Sequence, residues 1–216
     1  MKVKVITLGC KVNQYESEAM LSDLLHNGFT AAEDHEPADV VIFNSCTVTA
    51  ESDRKVRQLF RRAKKDNPDA VMVLSGCMAQ AFPEDAQRLE EADIILGTSN
   101  RKHLLPHLMT FLSARQRIID IAPHTNDEKF ERLQVDNFTG RTRAFVKIED
   151  GCNRFCSYCI IPYARGRVRS KPLDDLKAEL KGLAENGYKE IVLTGINLSA
   201  YGQEFGLHLC DAIEAA

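Results

Sequence analysis

Three β-branched apolar runs each stop just short of a cysteine, and each is followed by a helical pattern. They are Val3 to Leu8 before Cys10, Val40 to Phe43 before Cys46, and Val71 to Leu74 before Cys77. The spacing predicts a first helix over about Gln14 to Asn27, ended by Gly28, and a second over about Ser52 to Lys65, ended by Asn67-Pro68. A third is expected to follow Phe82-Pro83. Strands alternating with helices imply a parallel sheet joined by right-handed crossovers, an α/β arrangement of the Rossmann-like kind. All three strand ends then fall on the edge where open α/β sheets bind their ligands, so Cys10, Cys46 and Cys77 are expected to converge there. Free cysteine is often simply buried. Three at one topological position argue for a shared purpose.

A second cysteine set is more compact. Cys152-Asn153-Arg154-Phe155-Cys156-Ser157-Tyr158-Cys159 is a C-x3-C-x2-C run that offers three thiolates on a short loop. Three thiolates leave one iron of an iron-sulfur cluster without a protein ligand, and an open position is where a substrate or cofactor binds. A structural zinc site is disfavoured, because the next Cys or His residues are His208 and Cys210, far along the chain. The start of the chain shows no apolar signal segment, and no stretch is long enough to span a membrane. The seven cysteines therefore read as cytoplasmic thiols rather than disulfides.

The loop from Cys152 to Cys159, with Tyr158 before its last cysteine and Ile160-Ile161-Pro162-Tyr163-Ala164-Arg165-Gly166 after it, resembles the signature of radical S-adenosylmethionine enzymes of the methylthiotransferase branch. The resemblance implies that Cys152, Cys156 and Cys159 are catalytic ligands of a 4Fe-4S cluster. In that superfamily the open iron chelates S-adenosylmethionine, which is cleaved to a 5'-deoxyadenosyl radical. Tyr158 would line the cofactor pocket. The upstream words are similar to the amino-terminal domain of the same family: Thr7-Leu8-Gly9-Cys10-Lys11-Val12-Asn13-Gln14-Tyr15-Glu16-Ser17, Asn44-Ser45-Cys46-Thr47-Val48-Thr49 and Ser75-Gly76-Cys77-Met78-Ala79-Gln80. By that likeness Cys10, Cys46 and Cys77 are metal ligands of a second, auxiliary 4Fe-4S cluster that holds the sulfur to be methylated and inserted. Thr194-Gly195-Ile196-Asn197 stands where the superfamily often contacts the S-adenosylmethionine amino group, which makes Thr194, Gly195 and Asn197 cofactor-binding candidates, although the familiar Gly-Gly-Glu wording is absent.

Branches of the family differ around the first cysteine. The Gly9-Cys10-Lys11-Val12-Asn13-Gln14-Tyr15-Glu16 word, with Thr47-Val48-Thr49-Ala50-Glu51-Ser52-Asp53-Arg54-Lys55, resembles the threonylcarbamoyladenosine branch rather than those acting on isopentenyladenosine in tRNA or on a ribosomal-protein aspartate. The implied reaction adds a methylthio group to C2 of N6-threonylcarbamoyladenosine next to the anticodon, where a base is easily splayed into a pocket. The implied partners are tRNA carrying that nucleoside and an electron donor such as flavodoxin or ferredoxin. A non-enzymatic iron-sulfur protein would usually close each cluster with a fourth cysteine, which neither trio has nearby.

A net charge of −3 argues against a generally basic RNA-coating surface. Basic residues are nevertheless concentrated in two segments: Arg54, Lys55, Arg57, Arg61, Arg62, Lys64 and Lys65 on the second helix, and Arg165, Arg167, Arg169 and Lys171 after the cysteine loop. Both are candidates for phosphate contact and equally for solvated charge. Cys210, in a helical pattern with Leu207 and Ala212, reads as a packing thiol. The six histidines show no ligand pairing at helical or loop spacing, so solvated or locally bonded rings are expected.

Residues 1–112 read as the amino-terminal domain, 113–142 as a connecting segment with a short strand at Ile118-Ile119-Asp120-Ile121, and 143–216 as a radical domain. Within the last, Arg143 to Glu149 and Glu190 to Thr194 read as strands, and Leu173 to Asn186 as a helix closed by Gly187. These are the first β/α units of what the resemblance implies is a partial TIM-type barrel of about six. The expectation is therefore a truncated chain, inactive alone, without the family's carboxy-terminal RNA-binding (TRAM) barrel.

Overall fold

The computed structural model describes the chain except for Asp34, Val48, Thr49, Gln134, Asp136, Thr139, Gly140 and Arg141, and the side chains of Ala50, Glu51, Ser52 and Asp53. The chain divides into two units, Met1–Pro123 and His124–Ala216. Elements of the first run β1 (Lys2–Thr7), α1 (Lys11–His26), β2 (Thr30–Ala31), β3 (Val40–Ser45), α2 (Ala50–Asp66), β4 (Val71–Gly76), α3 (Cys77–Ala81), α4 (Pro83–Gln87), β5 (Ile94–Leu96), α5 (Leu104–Ala114) and β6 (Ile118–Asp120). The six strands form one parallel sheet in the order β2-β1-β3-β4-β5-β6.

Parallel strands covered on both faces need apolar residues at every position. β3 and β4 are buried along their whole length and apolar over Val40 to Phe43 and Val71 to Leu74, with polar residues at their carboxyl ends. Val41 and Phe43 join Val56 and Phe60 of α2, Met72, Leu74 and Met78 on one face. Val40 and Ile42 join Met20 and Leu24 of α1 and Leu104 and Leu108 of α5 on the other. The Phe43 and Phe60 rings lie 4.8 Å apart and both are fully buried. Each such ring stabilises the fold by about 2–3 kcal/mol through removal from water.

The third helix expected after Phe82-Pro83 is the short α4, and a further short helix not read from the sequence, α3, precedes it. Phe82, which precedes Pro83, has φ −131° and ψ 66°, away from the helical region as a residue before proline tends to be, and α3 and α4 meet there. β5 and α5 were not read from the sequence; β5 has three residues, too few for a periodicity. β6, expected in a connecting segment, pairs with β5 through Ile94↔Ile118, Ile95↔Ile119 and Leu96↔Asp120. The first unit thus extends past the expected boundary at 112, because a strand beyond it completes the sheet.

The second unit contains β7 (Ala144–Lys147), β8 (Glu149–Asp150), α6 (Ile161–Arg165), β9 (Arg169–Ser170), α7 (Leu173–Glu185), β10 (Ile191–Thr194) and α8 (Leu209–Ala215), with 3-10 turns at Leu198–Ala200 and Gln203–Phe205. β7 and β10 are parallel neighbours, with α7 as their connection, and the register runs from Ala144↔Ile191 to Lys147↔Thr194. The expected strand to Glu149 is interrupted: after Lys147 the chain changes partner and β8 pairs antiparallel with β9. Leu176, Leu180 and Leu183 form the buried stripe of α7. Among the described residues no helix is long and apolar enough to cross a membrane.

Candidate metal centres and cofactor site

Register brings the first cysteine set together. Thr7 of β1 pairs with Asn44 of β3, and Asn44 pairs with Ser75 of β4. Cys46 and Cys77 each follow two residues later and Cys10 three residues after Thr7, so all three stand at the carboxyl edge of adjacent strands. Cys10 is the N-cap of α1 and Cys77 the first residue of α3. Cys10 is exposed, Cys46 half-buried and Cys77 buried, and all are free thiols.

A polar network ties the three turns. Asn13 Nδ2 donates to the carbonyls of Ser45 at 2.9 Å and Leu8 at 3.3 Å. Asn44 Nδ2 donates to the Asn13 carbonyl at 2.9 Å, and Ser45 Oγ to the Ser75 carbonyl at 2.6 Å. Cys10 Sγ lies 3.4 Å from Asn13 Oδ1. Gly9 allows the close approach: with φ +133°, an added Cβ would stand 2.9 Å from Cβ of Cys46. Asn13 and Asn44 escaped the sequence reading; the available signal was a polar pair, Asn44-Ser45, ending an otherwise apolar strand.

The second set lies on the loop between β8 and α6. Cys152 N donates to the Gly166 carbonyl at 3.1 Å, and Cys159 N to the Cys156 carbonyl at 2.9 Å, which folds the last two cysteines into a turn. Asn153 Oδ1 accepts from Val168 N at 3.2 Å. Gly151, at φ +84°, is obligatory: an added Cβ would meet the Arg167 carbonyl oxygen at 2.0 Å. The base of the loop is held by charge. Asp150 is buried, with Arg165 Nη1 3.0 Å from Oδ1, and Lys147 Nζ 3.2 Å and Arg169 Nη2 3.8 Å from Oδ2. Cys156 is exposed, Cys152 and Cys159 half-buried, and Tyr158 is 90% exposed.

Thr194 ends β10, and its carbonyl accepts from Ile148 N at 2.9 Å. The loop that follows is fastened by Glu149, whose Oε2 accepts from Asn197 N at 2.6 Å. An added Cβ at Gly195 would stand 2.8 Å from that oxygen. Burial pushes the Glu149 carboxyl up to about 7, with the neighbouring Asp150 adding to the effect. Its buried Oε1 has no hydrogen-bond partner among the described residues. The structure thus joins Gly195 and Asn197 to the strand that leads into the cysteine loop, and Glu149, unremarked in the sequence, is the joint.

The donor sets suit iron-sulfur clusters: two groups of three free thiols, each on glycine-shaped turns, with a buried carboxylate oxygen left for a ligand's donor beside the second. Cys152, Cys156 and Cys159 could hold one cluster and Cys10, Cys46 and Cys77 another.

Other expectations are corrected. Arg165, Arg169 and Lys171 are buried in ion pairs with Asp150, Glu128 and Glu179, which removes them as candidates for phosphate contact; Arg167 is the exposed cation of that segment. On α2, Arg54, Lys55, Arg61, Arg62 and Lys65 are exposed, although Arg61 pairs with Glu91 at 3.3 Å and Arg62 with Asp66 at 3.7 Å. Val48 and Thr49 of the branch word lie outside the described residues. Cys210 is exposed rather than packed, because the buried face of α8 is that of Ala212, two residues and about 200° away. Two histidines do pair: His103 and His107, four apart, both reach Asp120.

Residues 2–97 match the family model described as "Uncharacterized protein family UPF0004", and residues 146–212 the "Radical SAM superfamily". The threonylcarbamoyladenosine tRNA methylthiotransferase MtaB of Bacillus subtilis (strain 168) is 42% identical over 198 residues, covering 92% of this chain and 44% of the relative. The protein of the same name from Thermotoga maritima is 39% identical, covering 98% and 48%. The tRNA-2-methylthio-N(6)-dimethylallyladenosine synthase of Sulfurihydrogenibium sp. (strain YO3AOP1) is 38% identical, covering 95% and 48%. The chain spans about half the length of the curated relatives it matches. Among solved structures, the radical S-adenosylmethionine methyltransferase TsrM from Kitasatospora setae shares the fold, with a TM-score of 0.59 at 15% identity over 99% of this chain and 50% of that one. By its two domain models and these relatives, the chain belongs to the radical S-adenosylmethionine methylthiotransferase family.

Proposed function

We propose that this chain is the cluster-bearing part of a cytoplasmic tRNA methylthiotransferase acting at C2 of N6-threonylcarbamoyladenosine, position 37, beside the anticodon. The observation that carries the proposal is the presence of two separate three-thiol sets, since a plain radical enzyme has no use for Cys10, Cys46 and Cys77 at the edge of a second sheet. Cys152, Cys156 and Cys159 hold the radical 4Fe-4S cluster, and Cys10, Cys46 and Cys77 the auxiliary one. When bound, these clusters and S-adenosylmethionine supply a hydrogen-abstracting radical and a methylated sulfur.

The protein's own residues bind and orient. Tyr158, exposed beside Cys159, offers a ring face to the adenine of S-adenosylmethionine. Thr194, Gly195 and Asn197 line the cofactor's polar end, and Glu149 fixes that loop through the Asn197 amide. Asn13 and Asn44 fix the turns of the auxiliary site. The partners are tRNA carrying the nucleoside and a low-potential electron donor such as flavodoxin or ferredoxin. The Gly9-Cys10-Lys11-Val12-Asn13 word supports threonylcarbamoyladenosine as the substrate. A relative named for dimethylallyladenosine supports the second reading, isopentenyladenosine in tRNA.

Iron and sulfide are to be counted after anaerobic reconstitution, comparing the chain with a Cys152→Ala, Cys156→Ala, Cys159→Ala variant. About eight irons falling to about four is expected; about four falling to none leaves a single-cluster enzyme and removes the proposal. Loss of 2-methylthio-N6-threonylcarbamoyladenosine from tRNA of a strain lacking the full gene is expected, and its persistence overturns the substrate assignment.

A further inference from the structure

Away from the cysteines, the same carboxyl edge of the sheet carries a second kind of donor set. His103 closes a 3-10 turn at Arg101–His103, His107 lies in the first turn of α5, and Asp120 ends β6 opposite Leu96. His103 Nδ1 is 2.7 Å and His107 Nε2 2.8 Å from the same carboxylate oxygen, Asp120 Oδ2. The three ligand atoms lie within 4.8 Å of one another, the one such group of three metal-ligating side chains among the described residues. The two rings meet edge to face with centroids 5.7 Å apart, so neither blocks the other's approach to a shared ion.

We propose that His103, His107 and Asp120 form a binding site for one divalent first-row cation of the Zn²⁺ class, tethering edge strand β6 to α5. Two imidazoles and a carboxylate are the donors such ions take, and three protein ligands leave a position for water. At bond lengths of about 2.0–2.2 Å, tetrahedral ligand atoms stand about 3.4 Å apart. The 2.7 and 2.8 Å contacts must therefore open by about 0.6–0.7 Å, which half-exposed side chains can supply. Neutral rings need lose no proton, since the hydrogen can move to the other ring nitrogen as the ion takes its place. The carboxylate is also held as ligating carboxylates are, because Asn100 Nδ2 donates to its second oxygen, Oδ1. Burial raises the Asp120 carboxyl, but bonds from His107, His103 and Asn100 outweigh it and keep the group below its usual range, ready as an anion.

The test is an anaerobic Zn²⁺ titration of the 216-residue chain against a chromophoric chelator, with a His103→Gln, His107→Gln variant alongside. Any zinc taken by the cysteines is common to both proteins. One ion fewer in the variant is expected, together with a wild-type-minus-variant Co²⁺ spectrum showing d–d bands without thiolate charge transfer. Equal stoichiometry and a blank difference spectrum overturn the site. Nitrogen NMR of the wild-type imidazoles needs no variant: the resonances of His103 Nδ1 and His107 Nε2 must move on addition of Zn²⁺, and if they stay the proposal fails.

Discussion

Asn13 Nδ2 donates to the Ser45 carbonyl at 2.9 Å, so the helix that starts at Cys10 is bound to the strand end that carries Cys46. Both residues are buried, and neither is a ligand candidate. Replacing Asn13 by Ala removes this bond and leaves a buried acceptor, a cost of about 1–3 kcal/mol. In Asn13→Ala the iron count after reconstitution should fall while a Cys10→Ala, Cys46→Ala, Cys77→Ala background shows no further loss. An iron count unchanged from wild type would dismiss Asn13 as a positioning residue.

Gly151 and Gly187 make a controlled pair in one unit. Both have positive φ, +84° and +93°, but an added Cβ at Gly151 strikes the Arg167 carbonyl while at Gly187 it meets nothing within 4 Å. Gly187→Ala should cost about 1 kcal/mol of strain and keep a cluster on the cysteine loop. Gly151→Ala should cost at least about 2 kcal/mol and displace Cys152, seen as lost absorbance of the reconstituted cluster in a variant lacking Cys10, Cys46 and Cys77.

Glu149 gives the pH dependence. Its carboxyl stands at about 7 in the folded chain against an ordinary 4.5. Between those values the folded state holds more protons than the unfolded, so stability declines as pH rises through this window and levels off above it. The full effect is about 3 kcal/mol. Urea unfolding at about pH 5 and about pH 8 should show the decline in the cluster-free chain and a flatter response in Glu149→Gln. Equal slopes in the two proteins would dismiss the buried carboxyl as the cause.

Arg61 and Arg62 are exposed on α2 with acidic neighbours that only partly occupy them. In the full-length enzyme, Arg61→Glu with Arg62→Glu should weaken tRNA binding and lower the magnitude of its salt slope by about 1.5, the share of two phosphates. An unchanged affinity and slope would take this helix out of the RNA contact.

What was legible in the sequence was what period and topology control. Apolar runs two-sidedly buried in β3 and β4 announce a parallel sheet, and the placement of three cysteines at its edge follows from chain direction alone. What was not legible depends on partners distant in sequence. Arg165 and Arg169 looked like phosphate contacts because nothing local reveals that Asp150 and Glu128 bury them. β5, at three residues, is strand only because β4 and β6 flank it. The His103–His107 spacing was in the sequence, but its meaning awaited Asp120, brought in by a strand that had been read as linker.

The pairing of β8 with β9 joins Asp150 to Arg169 and Glu149 to Ser170, on either side of the whole cysteine loop. It works as a clasp. Because the two ends are already fastened by backbone bonds and by the Asp150 ion pairs, the entropy of closing that loop is spent before any metal arrives. A cluster held by Cys152, Cys156 and Cys159, as proposed, would then be gained or lost as a local event inside a closed ring.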